Sequence, residues 1–211
     1  MRSEWEVREI LIDNTIRLIA EGGFEKATTR AITKSGMVLP DVKMNDAYIY
    51  RLFGSKENLY QAAFETLDKE LVLGLTRYIK EVGGITANVK ESLYKIFLGA
   101  WRFLLKNEAR CRCYVRYYYS VYFRGESLRQ HNLLCDRLIA EFHHLFIDEA
   151  DVRSIMHSVL TTLLDFAIRV YNGDLEDSEI NTPHVFNVLY SSMVTYFKDD
   201  VKESISVASV M

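Results

Sequence analysis

The sequence predicts an all-helical protein, and three observations carry that expectation. Two Pro and ten Gly in 211 residues leave few positions that interrupt a helix. Apolar residues recur at three- and four-residue spacing through most of the chain, and they outnumber any run of strict alternation that would mark a strand. At 49% hydrophobic residues the chain is ample for one sizeable core, or for a small domain leaning on a larger one. About nine helices are expected from the stop and start signals.

The first helix opens on Ser3-Glu4-Trp5-Glu6, a capping box in which Ser3 satisfies an early backbone N–H and Glu6 reaches back to the cap. It is expected to run to about Glu21. Trp5, Ile12, Ile16 and Ile19, with Leu11 and Leu18 beside them, form one buried stripe, and Gly22-Gly23 supplies the positive-φ stop. Thr28 or Thr29 caps a short second helix through about Ser35. Asn45 or Asp46 caps the third, and Ser55 caps a fourth that extends through Leu59, Ala63, Leu67 and Leu71 toward Lys80.

Gly83-Gly84 is the clearest break in the rest of the chain, and Thr86 after it caps a helix reaching about Lys106 with Val89, Leu93, Phe97, Trp101 and Leu104 at helical period. Further helices are expected from about Arg110 to Phe123, from Ser127 to Phe146, from Asp151 to Tyr171, and from Pro183 to about Asp199. Pro at a first helical position, preceded by Thr182, is the start signal of the last one. Ser204 to Met211 form a short tail of small and apolar residues, without an assignment.

Residues 46 to 60 read Asp-Ala-Tyr-Ile-Tyr-Arg-Leu-Phe-Gly-Ser-Lys-Glu-Asn-Leu-Tyr: a short helix ending in Phe53-Gly54, and at once a new helix start at Ser55-Lys56-Glu57. That segment resembles the recognition helix and following helix start of TetR-family transcriptional regulators. Upstream, the order Ile16, Leu18, Ile19, Gly22-Gly23-Phe24, Thr28-Thr29, Ile32 and Gly36 resembles the first two helices of the same DNA-binding domain. The resemblance spans residues 8 to 65 and rests on a spaced series, not on one short motif. It implies a three-helix helix-turn-helix domain at residues 1–54, joined by the fourth helix to a helical bundle for ligand binding and dimerisation at 55–201, with the tail at 202–211.

In a helix-turn-helix the second helix enters the major groove while flanking elements grip phosphates. On that geometry Asn45, Asp46, Ala47 and Tyr48 face base edges: Asn45 can pair with adenine, Ala47 offers a methyl-sized contact, and Tyr48 can donate or make an apolar contact. The resemblance matches Tyr50 to the family's phosphate-contacting tyrosine and Lys56 to the lysine at the start of the fourth helix, where backbone N–H groups and the helix dipole already favour a phosphate. Thr28, Thr29 and Arg30 open the second helix and hold the opposite phosphate. Ile49 and Phe53 are expected to pack inward. From Thr28 to Lys56 the positive residues Arg30, Lys34, Lys43, Arg51 and Lys56 outnumber Asp41 and Asp46 by three, in a chain whose net charge is -3. Attraction to nucleic acid therefore comes from a local face, not from the whole molecule.

One departure from the family pattern matters. Ile32 and Tyr50 are eighteen residues apart, more than the pattern has, and the excess falls in Val38-Leu39-Pro40-Asp41-Val42-Lys43-Met44 at the turn between the two DNA-facing helices. Pro40 prevents the second helix from continuing through the insertion. Its apolar residues suggest packing, while Lys43 adds a possible phosphate contact that Asp41 opposes. DNA binding with altered groove geometry is the main reading. The alternative is a regulator that acts through a protein partner because the enlarged turn has lost ordinary operator binding.

The resemblance further implies a double-stranded DNA operator, repression released by a small-molecule effector, and a homodimer through the last two long helices. The apolar positions Ile155, Val159, Leu163, Phe166 and Val170, and Val185, Phe186, Leu189, Met193 and Phe197, support a bundle, with ordinary core packing as the other explanation. The run Cys111 to Phe123 holds five Tyr. Tyr114, Tyr117, Tyr118 and Tyr122 can share one aromatic face, and with Phe97, Trp101 and Phe166 they would line a pocket for an apolar or aromatic effector, Arg116 serving an anion. Aromatic core is the competing account of each ring.

Other classes find little support. Three Cys argue against a disulfide framework and fit a reducing compartment; thiol sensing by Cys111, Cys113 or Cys135 stays open. Cys111 and Cys113, two apart on a helix, diverge, and His131 with Cys135 lacks a third ligand, so no metal and no cofactor are expected. There is no nucleophile elbow, phosphate-cradling glycine loop or zinc motif, so the chain does not read as an enzyme. No uncharged apolar stretch suits a membrane span, and the charged amino terminus is no signal peptide; a cytoplasmic location is the default.

Overall fold

The computed structural model of the chain describes residues 4–35, 44–86 and 88–202. Among them lie nine α-helices and one 3-10 turn: α1 (Glu4–Lys26), α2 (Thr29–Lys34), α3 (Asp46–Phe53), α4 (Lys56–Glu81), α5 (Val89–Leu105), α6 (Glu108–Tyr118), α7 (Glu126–Ala140), the 3-10 turn His143–Leu145, α8 (Val152–Tyr171) and α9 (Asn181–Val194). The fold is all-α, as the apolar periodicity requires. Ser3 and its capping box, most of the insertion at 38–44, and the tail from 203 lie outside the described residues.

The chain divides into two compact units. The first holds residues 1–69 and 107–131, and the second holds 70–106 and 132–211.

In the first unit, α1 to α3 and the start of α4 pack with α6. Leu11, Ile12, Ile16, Leu18 and Ile19 are buried along α1, with Ile32, Ile49 and Phe53 from α2 and α3. Trp5 does not continue that stripe: it is 67% exposed, and burial begins at Val7. Periodicity sets the phase of a helix face but not whether a neighbour reaches its first turn. The regular part of α1 ends where expected, because Gly22 and Gly23 leave helical geometry and Gly23 adopts φ 76°. Asn14 is buried in this face and donates from Nδ2 to the Ile32 carbonyl at 3.0 Å, a bond that contributes about 1 kcal/mol and ties the end of α2 to α1. Tyr60 of α4 donates its hydroxyl to the Ala27 carbonyl at 2.6 Å, fixing the turn between α1 and α2.

Several helix ends differ from expectation, each for a local reason. α5 is capped by Asn88, which accepts from the Glu91 N–H at 3.2 Å, while Thr86 bonds to the Ser92 hydroxyl instead. α6 stops at Tyr118: Ser120 donates to the Tyr117 carbonyl and accepts from the Tyr122 N–H, so its side chain takes the place of the next helical turn. α7 and α9 stop short because Phe146 and Phe197 form an antiparallel bridge. The Ile147 N–H donates to the Tyr196 carbonyl at 3.0 Å and the Lys198 N–H to the Leu145 carbonyl at 2.9 Å. Both phenylalanines are buried there. α9 begins at Asn181, which puts Pro183 inside its first turn, where a missing N–H costs nothing.

In the second unit, Phe97 and Trp101 of α5 stack on each other at 5.9 Å, and Phe186 of α9 lies 5.5 Å from Phe97. The Trp101 indole donates to Asp177 at 2.8 Å and the Tyr171 hydroxyl to the Leu104 carbonyl at 2.7 Å, which hold the end of α8 and the following loop against α5.

Candidate nucleic-acid interface

α2 and α3 are placed by their caps. Thr28 is the α2 cap, its hydroxyl accepting from the Ala31 N–H at 3.1 Å, and Asn45 caps α3 by accepting from the Ala47 N–H at 3.0 Å. Both oxygens are therefore committed to the helix starts. Asp46 joins the two helices: the Thr29 hydroxyl donates to one carboxylate oxygen at 3.0 Å and the Thr33 hydroxyl lies 3.3 Å from the other. As an acidic residue in the first turn of α3 it also complements the helix dipole.

The eight residues of α3 bury Ile49 and Phe53 and turn Ala47, Tyr50 and Arg51 outward, with Tyr50 56% exposed. Tyr48 is half-buried on the flank, and the Arg51 guanidinium lies 4.7 Å from its ring centroid. Arg51 also pairs with Glu4 of α1 at 3.4 Å. Gly54, at φ 80°, closes α3 by donating to the Tyr50 carbonyl, and Ser55 caps α4 through the Asn58 N–H at 3.0 Å. Lys56 follows at once, half-buried, its ammonium 5.5 Å from the Tyr60 ring. Arg30 and Lys34 are exposed on α2. Lys43 lies outside the described residues.

Sequence reasoning missed two residues that set how α2 and α3 are held on α1. The Arg8 guanidinium lies 4.4 Å from the Phe53 ring centroid and donates to the Leu52 carbonyl at 3.3 Å, so α1 grips the end of α3. Asn14 was legible in principle, as an amide set inside the apolar stripe of α1.

The residues nominated for an effector fall into separate groups. Tyr114, Tyr117 and Tyr118 are buried in the first unit and Tyr122 is half-buried there. Phe64 stacks on Tyr117 at 4.5 Å, Tyr118 meets Phe123 at 4.6 Å, and Tyr122 lies 4.8 Å from Phe24. Arg116 is exposed and its guanidinium lies over Gly23 at the kink of α1. Phe97 and Trp101 are buried in the second unit, and Phe166 is half-buried there with the Arg169 guanidinium 5.6 Å from its ring. Burial pushes the Cys111 and Cys113 thiols up to about 12, leaving almost no thiolate at neutral pH. His131, considered with Cys135 for a metal, sits instead 3.0 Å from the Asp68 carboxylate.

Two short capped helices, one turned toward solvent and held by the other, define a helix-turn-helix protein. Residues 11–63 match the model of the bacterial regulatory proteins of the TetR family. That segment is a TetR-type helix-turn-helix. The sequence matches no curated protein. Among solved structures, the fold is similar to a TetR-family transcription regulator from Marinobacter aquaeolei VT8, at 15% identity and a TM-score of 0.70 over 88% of this chain and 94% of that one. It is similar also to a TetR-family regulator from Shewanella sp. PV-4, at 12% identity and 0.72 over 90% and 98%. The regulator FadR from Bacillus subtilis, solved in complex with stearoyl-CoA, is similar at 18% identity and 0.60 over 87% and 98%. Among the described residues no helix is long and apolar enough to cross a membrane.

Proposed function

We propose that this protein binds a double-stranded DNA operator as a homodimer and represses transcription until a small apolar or aromatic effector releases it. The observation that carries the reading is the outward face of α3, with Ala47, Tyr50 and Arg51 beside the Lys56 start of α4. In this reading residues 1–54 read DNA and residues 55–201 bind the effector and form the dimer. Tyr50 and Lys56 grip phosphate; Ala47 and Tyr48 meet bases; Asn45 and Asp46 hold the reading helix in place through their caps and bonds. A major groove that receives α3 brings its amino-terminal turn closest to base edges.

The dimer is assigned to α8 and α9. Ile155, Val159 and Phe166 stay half-buried along one flank of α8, and Val188 is exposed on α9. Such a stripe gains about 1.5–3 kcal/mol for each large apolar side chain fully covered by a second copy. Because α4 continues from the head to Glu81, effector binding that shifts α4 changes the spacing of two reading heads on paired half-sites. The fold's likeness to FadR with stearoyl-CoA supports an apolar effector.

Lys56→Gln and Ala47→Ser separate the two kinds of contact. In fluorescence-anisotropy titrations against a panel of operator variants, Lys56→Gln weakens every sequence alike and lowers the salt slope by about one. Ala47→Ser changes the ranking among sequences, by about 1–3 kcal/mol at the contacted base pair. Unchanged affinity and salt slope in Lys56→Gln would overturn this assignment. Val159→Glu is expected to give a monomer by light scattering; a persistent dimer places the interface elsewhere.

A further inference from the structure

The Tyr190 hydroxyl of α9 is buried, and among the described residues it has no hydrogen-bond partner. An orphaned buried hydroxyl is costly to a fold, so its retention asks for a partner that arrives from outside the chain. Its surroundings say what kind. Tyr190 stands between the Phe197 ring, at 6.2 Å, and a series of rings: Phe186 at 5.5 Å, then Tyr94 and Phe97, which lie 5.0 and 5.5 Å from Phe186, then Trp101 stacked on Phe97. On the solvent side Lys90 of α5 is exposed and holds its ammonium 5.3 Å from the Tyr190 ring centroid. An O–H donor inside, a cation at the rim and apolar rings between α5 and α9 complement a carboxylate attached to an apolar body.

We infer that the α5–α9 aromatic cluster of the second unit is a binding site for a small amphipathic carboxylic acid, whose carboxylate accepts from the Tyr190 hydroxyl and pairs with the Lys90 ammonium. Its apolar part lies against Phe186 and Phe97, and Trp101 reports its presence. The inference rests on the effector reading above and narrows it to a chemical class. Burial raises the Tyr190 hydroxyl above its ordinary range, which keeps it a donor near neutral pH.

The test uses the full chain carrying Trp5→Phe, so that Trp101 is the remaining indole of the two in the sequence. Benzoate and octanoate are titrated against their uncharged primary amides, following tryptophan emission. The carboxylates are expected to produce a saturable change, with the amides binding more weakly. Tyr190→Phe is expected to weaken carboxylate binding at least tenfold, about 1.4 kcal/mol, and Lys90→Gln by a smaller factor. Thermal melting supplies a second readout: removing a partnerless hydroxyl leaves the melting temperature unchanged or raises it. Three results would each overturn the site: no saturable change with any probe, equal carboxylate affinity in Tyr190→Phe, or a lowered melting temperature in that variant, which would mean that the hydroxyl has a structural bond. Saturable, Tyr190-dependent binding that leaves operator DNA bound sustains the site and overturns effector-released repression. A protein that binds DNA but no probe retains its DNA reading and loses this site.

Discussion

At the scale of single residues, the strongest polar node of the first unit is Asp68. It is buried and accepts from the Tyr114 hydroxyl at 2.9 Å, while His131 Nδ1 lies 3.0 Å from the same oxygen, so one carboxylate ties α4, α6 and α7 together. Phe123 and Tyr118 close around the imidazole at 5.4 and 5.6 Å. Asp68→Ala removes the acceptor of the Tyr114 hydroxyl and the carboxylate beside His131 and is expected to cost about 3 kcal/mol in urea unfolding, whereas an exposed carboxylate would cost almost nothing. None of this was legible in the sequence, where Asp68 falls among the charges of a long amphipathic helix and its partners are 46 and 63 residues away. The aromatic run, by contrast, was legible as a shared face, since Tyr114, Tyr117, Tyr118 and Tyr122 do come together with Phe64 and Phe24. The thiols give a second test at this scale. With Cys111 and Cys113 pushed up to about 12 by burial, alkylation of the folded protein at neutral pH reaches Cys135 alone, and mass spectrometry finds the other two labelled only after unfolding.

At the scale of elements, glycines set how closely helices approach. A Cβ at Gly99 of α5 would meet the Tyr78 ring of α4 at 2.3 Å, including atoms at the root of the ring, so the whole side chain must move. Gly99→Ala is expected to destabilise by about 1–3 kcal/mol. Gly74 in α4 has only the Phe103 ring at 3.8 Å, an ordinary contact, so Gly74→Ala gains helix propensity and stabilises by about 0.5–1 kcal/mol. Paired thermal melts check both signs. Helix starts were readable at several side-chain caps, as at Thr28, Asn45, Ser55 and Asp151, but not at Asn88 or Asn107. Ends were less so, because the stop of α7 and of α9 depends on a bridge between Phe146 and Phe197, 51 residues apart. No local pattern contains that pairing.

At the scale of the whole molecule, charge and topology assign the work. A net charge of -3 offers no general attraction to DNA, yet the segment from Thr28 to Lys56 carries a positive surplus and exposes Arg30, Lys34, Tyr50 and Arg51. The order of residues announced the helix-turn-helix because each of its caps and inward positions is local. The partition of the chain was not announced: α6, far along the sequence, packs on α1, with Arg110 paired to Asp13 at 3.3 Å. The first unit therefore joins α1 to α3 to the aromatic helix α6, which comes from the segment 55–201.

Whether α3 reads DNA is decided by salt-dependent binding to the DNA flanking the protein's own coding sequence. A specific complex is expected in gel shift that resists non-specific competitor, weakens steeply as salt rises, and is lost when Tyr50→Phe and Lys56→Gln are combined. A folded, dimeric protein that binds no flanking fragment even at low salt would contradict DNA reading by α3.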